Sequence, residues 1–272
     1  MIAPQNDSAF GDAISRLYER HLVPLLFEPY AAFTAQRVAA LGAGRVLETA
    51  AGTGVVTRAL AKRLPAKATL TATDLNRAML DRAVSADMPR PVTWRQADAM
   101  KLPFADESFD CVVCQFGVMF FPDKSAAYAE ARRVLRRGGS FVFTVWDRIE
   151  DNEFADTVND SLRHVFPDDP PTFMRRTPHG YFDRDLIARD LQWAGFSHVP
   201  KFETESARSC APSAHEPAVA FCQGTPIRNE IEARDAARLD VATQVAAAAL
   251  QRRFGDGAIE GKMQAHLVAV VK

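Results

Sequence analysis

Short apolar runs alternate with amphipathic segments from about residue 44 to residue 146. The runs predict five strands, over residues 45–49, 69–73, 92–97, 109–116 and 140–146. Their apolar residues do not alternate strictly with polar ones, which is typical of parallel strands that are covered on both faces.

The segments between these strands predict helices. Val56, Leu60 and Leu64 recur at helical spacing after the first strand. Further helices are predicted over residues 75–85 and 124–137. Strands that alternate with helices predict an α/β fold with a doubly wound parallel sheet, in which ligands bind beyond the carboxyl ends of the strands.

The flanking regions carry further elements. Residues 8–40 have a helical, amphipathic pattern that is interrupted at Pro24. Residues 194–206 predict a sixth strand, and residues 216–254 predict a helical excursion. A last strand is predicted over 263–271, and we expect it to pair antiparallel at the edge of the sheet.

Composition and charge narrow the classes of partner. The 272 residues include 33 Lys and Arg against 34 Asp and Glu, for a formal net charge of −1. This balance indicates no strongly basic face, so we expect no nucleic-acid partner. No apolar run approaches the ~20 residues that span a bilayer, and the first residues lack the basic and apolar pattern of a secretory signal. We therefore expect a cytoplasmic protein without a membrane span.

The cysteines do not indicate redox or metal chemistry. Cys111 and Cys114 form a CxxC pattern, but residues three apart on a buried strand point to opposite faces. No second CxxC completes a zinc site. We therefore predict no metal site and regard all four thiols, including those of Cys210 and Cys222, as buried or incidental.

The most informative stretch is "VLETAAGTGVVTRALA", residues 46–61, where Ala50, Gly52 and Gly54 are spaced by two between a strand and a helix. Small residues at such a turn let a ligand approach the main chain closely. A dinucleotide-binding turn has a third small residue three positions after its second glycine. This chain has Thr57 at that position. This departure argues against an NAD-dependent oxidoreductase, which we keep as an alternative.

The arrangement E-x-A-x-G-x-G, from Glu48 to Gly54, resembles the first motif of the class I S-adenosylmethionine-dependent methyltransferases. The family usually has glycine where this chain has Ala50. The similarity continues over residues 40–147, in segments "TATDLNRAML", "WRQADAMKLPFADESFD" and "FDCVVCQFGVMFF". It is close to the small-molecule methyltransferases similar to ubiquinone-biosynthesis C-methyltransferases.

The resemblance implies a role for each segment. Asp74, at the end of the second strand, would accept the ribose hydroxyls, although the same geometry serves NAD. Asp98 would accept a hydrogen bond from the adenine amino group, with the Ala99 N–H facing a ring nitrogen. The negative charge of Glu48, expected to face the cleft, would suit the ammonium and sulfonium groups of the cofactor. Gln115 would line the methionine end, together with the phenylalanine that follows it.

Two of the residues have core packing as an alternative to cofactor binding. Met79 either covers the adenine or belongs to the helix core. Tyr18 belongs either to a lid or to the core. The residues predicted to bind the cofactor are Tyr18, Glu48, Ala50, Gly52, Gly54, Asp74, Leu75, Met79, Asp98, Ala99, Gln115 and Phe116.

The implied reaction is an in-line transfer of the methyl group of S-adenosyl-L-methionine to oxygen or carbon of a small organic molecule, which leaves S-adenosyl-L-homocysteine. A general base is needed only when the acceptor must lose a proton. His179 is the candidate base, and His164 is the other histidine considered. A non-catalytic protein that retains the fold is a further alternative. The acceptor and the oligomeric state are open.

The resemblance also implies the overall architecture. We expect a Rossmann-like sheet of seven strands, mostly parallel with an antiparallel last strand, a helical N-terminal lid and a C-terminal helical insertion. One domain would span residues 1–272, with the lid at 1–40, the cofactor-binding core at 41–150 and a substrate-covering region at 151–272.

Overall fold

The computed structural model describes residues 12–272, apart from the side chains at positions 12, 13 and 15; the first part of the predicted lid lies outside the described residues. The strands are β1 Arg45–Glu48, β2 Thr69–Asp74, β3 Thr93–Gln96, β4 Phe109–Gln115, β5 Leu135–Trp146, β6 Lys201–Ala211 and β7 Ile259–Val271. The helices are α1 Asp12–Leu17, α2 Glu28–Ala40, α3 Val55–Arg63, α4 Arg77–Ser85, α5 Lys124–Val134, α6 Glu153–Val165, α7 Phe173–Arg176, α8 Arg184–Trp193, α9 His215–Gly224, α10 Ile227–Asp235 and α11 Leu239–Phe254.

The strands form one seven-stranded sheet in the order β3-β2-β1-β4-β5-β7-β6. The neighbours from β3 to β5 pair in parallel, and β7 pairs antiparallel with β5. The predicted fold class is therefore confirmed. The predicted position of the last strand is wrong, because β7 lies between β5 and β6 and leaves β6 at the edge.

Both faces of the central strands are covered, which explains their continuous apolar runs. Val46 on one face packs in a buried cluster with Val38 of α2 and Leu60 of α3. On the other face, Tyr128 of α5 contacts the rings of Phe141 and Phe143, at centroid distances of 5.5 Å and 5.3 Å. Each face of the sheet thus has its own helices, as the doubly wound prediction requires.

The sixth strand begins later than the pattern predicts, because α8 ends in a compact hydrogen-bonded turn. Gly195 has φ +91° and donates its N–H to Gln192 O, while Phe196 donates to Leu191 O. These two bonds form a Schellman motif, which uses residues 194–196 to end the helix. The strand therefore starts at Lys201, after Pro200.

Pro24 does not break the N-terminal helical region as predicted. The chain continues from α1 through a π-helical segment, Tyr18–Phe27, into α2. Pro24 has no N–H to donate, and the wider turns around it accommodate the lost bond. Among residues 12–272, no helix is long and apolar enough to cross a bilayer.

Two compact units are found along the chain. The sheet unit comprises residues 28–146, 181–205 and 265–272, and the helical unit comprises residues 12–27, 147–180 and 206–264. Two of the boundaries between them fall inside β6 and β7. The predicted partition into lid, core and substrate-covering region stays a prediction.

The backbone is strained where β1 and β4 end. Ala50 has φ +53° and Phe116 has φ +52°, a left-handed conformation that costs a non-glycine residue roughly 1–2 kcal/mol. The methyl group of Ala50 fits because position 117 is glycine. A Cβ on Gly117 would lie 2.5 Å from the Cβ of Ala50 and 2.7 Å from the Sγ of Cys114.

We therefore predict that Gly117→Ala lowers the free energy of unfolding by about 1–3 kcal/mol, the usual range for an overpacked core. Gly117 has φ −99° and suffers no backbone strain from the change. Ala50→Gly should restore part of the loss, because it removes one of the two atoms that collide. Urea denaturation of both single variants and the double variant measures the coupling, and equal costs of Gly117→Ala in the two backgrounds would contradict this packing.

Candidate functional site

Four polar side chains lie at or just beyond the carboxyl ends of neighbouring strands, all in the sheet unit. Glu48 ends β1, where it pairs with Ala72 of β2, and Asp74 ends β2 opposite Gln96 of β3. Gln115 ends β4, and Asp98 follows β3 by two residues. Because β1 lies between β2 and β4, this edge is the point where the strand order reverses, and ligands of doubly wound sheets bind there.

The turn between β1 and α3 leaves its main chain open at one glycine. Gly52 has φ +56°, and a Cβ built on it would meet nothing within 4 Å. Gly54 has φ +82°, but a Cβ there would lie 3.2 Å from side-chain atoms of Ala83, Met88 and Trp94. Gly52 thus offers backbone to a ligand, whereas Gly54 permits close packing between the turn and its neighbours.

Asp74 binds this turn to the end of β2. Its Oδ2 accepts the N–H of Gly52 at 2.8 Å, and its Oδ1 accepts the N–H of Asn76 at 2.7 Å. Burial raises the pKa of the Asp74 carboxyl, while these N–H groups act to lower it. A carboxylate has about four lone-pair sites, so acceptor capacity remains. The next residue, Leu75, is 57% exposed although it is apolar.

Glu48 is 1% exposed, and its carboxyl group bonds to α3. Its Oε2 accepts the hydroxyl of Thr57 at 2.6 Å. Burial raises the pKa of this carboxyl to about 8, with a smaller contribution from the nearby Asp74. Below that pH, the protonated form predominates in the ligand-free protein.

Two threonines, one in this turn and one in the first turn of α3, were missed as site residues. Thr57, whose only sequence signal was the absence of a third small residue, is fully buried and holds Glu48. Thr53 lies between the two glycines and is 2% exposed, and its hydroxyl has no hydrogen-bond partner. An unsatisfied hydroxyl at this depth is costly unless a ligand completes its bonding.

The segment after β3 forms a small turn. The Asp98 side chain accepts the N–H of Met100 at 2.8 Å, and the carbonyl of Asp98 accepts the N–H of Lys101 at 3.0 Å. Asp98 and Ala99 are both half-buried. The Ala97 N–H donates to Asp74 O, which fixes the start of this turn against β2.

The end of β4 is held by α2 and β5. Thr34 of α2, also missed from the sequence, donates its hydroxyl to Gln115 Oε1 at 2.9 Å. The ring of Phe116 stacks on Trp146 at 3.9 Å between centroids, and Tyr30 meets both rings edge-on at 5.3 Å. These contacts fix the direction in which β4 leaves the sheet.

Three further predicted site residues do not end a strand. Met79 is buried in α4 at 4% exposure. In the helical unit, Tyr18 stacks on Phe27, and His179 is 5% exposed with Nδ1 2.9 Å from Asp147 O. Burial lowers the pKa of His179 to about 4, so its ring is neutral at pH 7. Its predicted role as a base, like each role assigned above, stays a prediction.

Three of the four cysteine side chains are packed in the protein interior. Burial raises the pKa of Cys111, Cys114 and Cys222 to about 12, while Cys210 is exposed. Among residues 12–272, no cluster of His, Cys, Asp and Glu side chains could hold a metal ion.

The site residues fit an adenosyl group bearing a positive charge. The space over Gly52 admits a ligand to the main chain, the half-buried Asp74 retains acceptor capacity, and the exposed Leu75 offers an apolar surface beside it. The unsatisfied Thr53 hydroxyl and the acidic Glu48 add polar groups at the same turn.

Comparison with known proteins supports this interpretation. Residues 47–143 match the family model of a methyltransferase domain. The chain is 31% identical over 208 residues to a demethylmenaquinone methyltransferase of Mycobacterium sp. (strain KMS), over 72% of this chain and 87% of that protein. It is 37% identical over 128 residues to a ubiquinone/menaquinone biosynthesis C-methyltransferase of Bordetella avium, over 46% and 49% of the two chains.

Among solved structures, a Haemonchus contortus N-methyltransferase in complex with phosphomonomethylethanolamine and S-adenosylhomocysteine shares the fold. The TM-score is 0.58 at 17% identity, over 98% of this chain and 59% of that one. The chain belongs to the class I S-adenosylmethionine-dependent methyltransferases.

Proposed function

We propose that the protein transfers the methyl group of S-adenosyl-L-methionine to carbon or oxygen of a small organic molecule. The observation that carries the proposal is the open main chain of Gly52 bonded to Asp74 at the point where the strand order reverses. When bound, the cofactor supplies a methyl group on a positively charged sulfur. The comparisons give no support to an NAD-dependent oxidoreductase.

In this proposal, the residues at the strand ends divide the binding of the adenosyl group. Asp74 accepts the ribose hydroxyls with the lone pairs that Gly52 and Asn76 leave available. Leu75 lies against the adenine face, and its exposed side chain loses contact with water on binding. Asp98 and Ala99 bond the adenine edge.

Glu48, Gln115 and Phe116 are proposed to bind the methionine end. A positive charge near a buried carboxyl favours its ionised form. Glu48 therefore carries its proton in the ligand-free protein at pH 7 and loses it when a cation binds nearby. Because the carboxyl is buried, dissolved salt screens its charge only weakly.

For the transfer itself, the protein must align the acceptor with the methyl group and keep water out. Such alignment supplies as much as ~7–11 kcal/mol in favourable model systems. The leaving group is a neutral thioether, so no acid is required. A base is required only for an acceptor that loses a proton.

We take a reduced quinone-type ring, methylated on carbon, as the first acceptor to test, because relatives named for demethylmenaquinone and ubiquinone/menaquinone methylation support it. The experiment incubates the protein with a methyl-labelled donor and a panel of quinols, phenols and amines. Label in a ring carbon supports the proposal. Binding of S-adenosyl-L-homocysteine without transfer to any acceptor would favour a non-catalytic protein, and binding of NAD alone would overturn the proposal.

Asp74→Ala is expected to weaken S-adenosyl-L-homocysteine binding by about 10- to 150-fold, or ~1.5–3 kcal/mol, because it removes bonds to a charged acceptor. Asp74→Asn keeps one oxygen for the Gly52 N–H and should lose less. Isothermal titration measures both. The control is Asp81→Ala on the exposed face of α4, and an unchanged affinity of Asp74→Ala would remove the ribose assignment.

Glu48 should make the protein less stable as pH rises. Its pKa is raised from 4.5 to about 8 on folding, so between these values the folded state binds more protons than the unfolded state. The free energy of unfolding therefore falls with increasing pH across this window. Glu48→Gln resembles the protonated acid and should flatten that fall, measured by urea denaturation from pH 5 to pH 8.5. Equal slopes in the two proteins would contradict the buried, protonated state.

His179 stays the candidate base within the proposal. If it takes a proton from the acceptor, His179→Ala lowers kcat while leaving the affinity for S-adenosyl-L-homocysteine within about twofold, since ~0.4 kcal/mol is the scale of a change that touches no ligand. Steady-state kinetics and titration on the same preparation separate the two effects. An unaltered kcat would exclude His179 from the reaction.

A further inference from the structure

The crossover from β3 to β4, residues 97–108, carries Asp98 and Ala99 but forms no helix of its own. β3 lies at the edge of the sheet, and β4 lies beyond both β2 and β1. A connection with so little structure of its own takes its stability from the groups that bind it from outside.

Arg133 of α5 uses all five of its N–H donors, three of them to bind this crossover. Nε and Nη2 donate to the two carboxylate oxygens of Glu130, at 2.7 Å and 2.8 Å. Nη2 also donates to Leu102 O at 2.9 Å. Nη1 donates to Phe104 O at 2.8 Å and to Asp106 Oδ1 at 2.7 Å. The planar guanidinium thus bridges α5 and three residues of the crossover.

Glu130 completes the arrangement from the same helix. Its Oε2 accepts the N–H of Leu102 at 2.7 Å, so both main-chain groups of Leu102 are bound by this pair. The hydrogen bonds from Arg133 lower the pKa of the Glu130 carboxyl and keep it ionised. Bonds between ionised partners are about twice as strong as neutral ones.

A second arginine binds the crossover from β3. Arg95 donates from Nη1 to Pro103 O at 3.1 Å, and its guanidinium lies 5.5 Å from the ring centre of Phe104. The crossover is therefore held from α5 and from β3 at adjacent residues.

The bound Leu102 directly follows the turn that carries Asp98. That turn is closed by the bond from Lys101 N–H to Asp98 O, at 3.0 Å, and by the bond from Met100 N–H to Asp98 Oδ1. A shift of Leu102 therefore moves the carboxylate of Asp98 and the N–H of Ala99.

We infer that Arg133 and Glu130 are positioning residues that set the selectivity of the site for adenine, through the turn at Asp98 and Ala99. The inference rests on the proposed function, since it concerns the same ligand. Lysine cannot replace Arg133 in this role, because a single ammonium group cannot span Glu130, Leu102 and Phe104 at once.

The experiment compares S-adenosyl-L-homocysteine with its inosine counterpart, in which a carbonyl oxygen replaces the adenine amino group. The wild type is expected to prefer the adenosine form. Arg133→Lys and Glu130→Gln should each lower this preference by about 5- to 20-fold, less than the roughly 10- to 150-fold of a lost hydrogen bond to a charged group, because the bond is displaced and not removed. Asp98→Ala should abolish the preference, and adding Arg133→Lys to it should remove nothing more.

Arg132→Lys, at the adjacent position of α5, is the matched control and should leave the preference unchanged. Hydrogen exchange of the ligand-free protein gives a second measurement. Amides of residues 98–104 should exchange faster in Arg133→Lys than in the wild type, while those of α3 should not.

The outcomes separate the two proposals. Equal losses of affinity for both forms would assign the pair a structural role alone and overturn the inference, as would an unchanged preference. Unchanged exchange at residues 98–104 would overturn it without any ligand. If the wild type bound neither form, the proposed function and the adenine selectivity would both fall, whatever the exchange result.

Discussion

The N–H group of Gly52 donates to the carboxylate of Asp74, and this one hydrogen bond sets the geometry of the carboxyl edge. It joins the turn after β1 to the end of β2 at a residue, Gly52, whose left-handed backbone leaves the space beside it open. The other oxygen of Asp74 accepts the N–H of Asn76 at the start of α4. One carboxylate thus joins two strand ends and a helix start.

Two acidic side chains close to one another give this edge its electrostatic character. Burial raises the pKa of both carboxyls, and the negative charge of Asp74 further disfavours ionisation of Glu48. The arrangement is unfavourable in an isolated protein and becomes favourable when a positive charge arrives. Thr57 limits the cost by donating its hydroxyl to Glu48, so the carboxyl is held in place whether or not it carries a proton.

The sequence predicted the elements that depend on local pattern. Apolar runs located the first five strands, and the small residues at Gly52 and Gly54 located the turn. Features that depend on distant partners were not predictable in this way. Neither the position of β7 inside the sheet nor the reach of Arg133 to residues about 30 positions earlier leaves a periodic signal. The burial of His179 also depends on tertiary packing and leaves no sequence signal. Its residue type alone makes it a candidate base, but burial lowers its pKa, and a lower pKa makes a weaker base.

The placement of β7 between β5 and β6 has a consequence for the order in which the sheet assembles. During synthesis, β6 leaves the ribosome before α9, α10, α11 and β7. Until β7 arrives, β6 lacks the neighbour through which it joins the sheet, and β5 presents an open edge. Non-local pairing of this kind slows folding because a long loop must close first. The nascent chain therefore carries an open edge on β5 and a wholly unpaired β6 until its seventh strand is made, a period in which unpaired edges favour association with other chains.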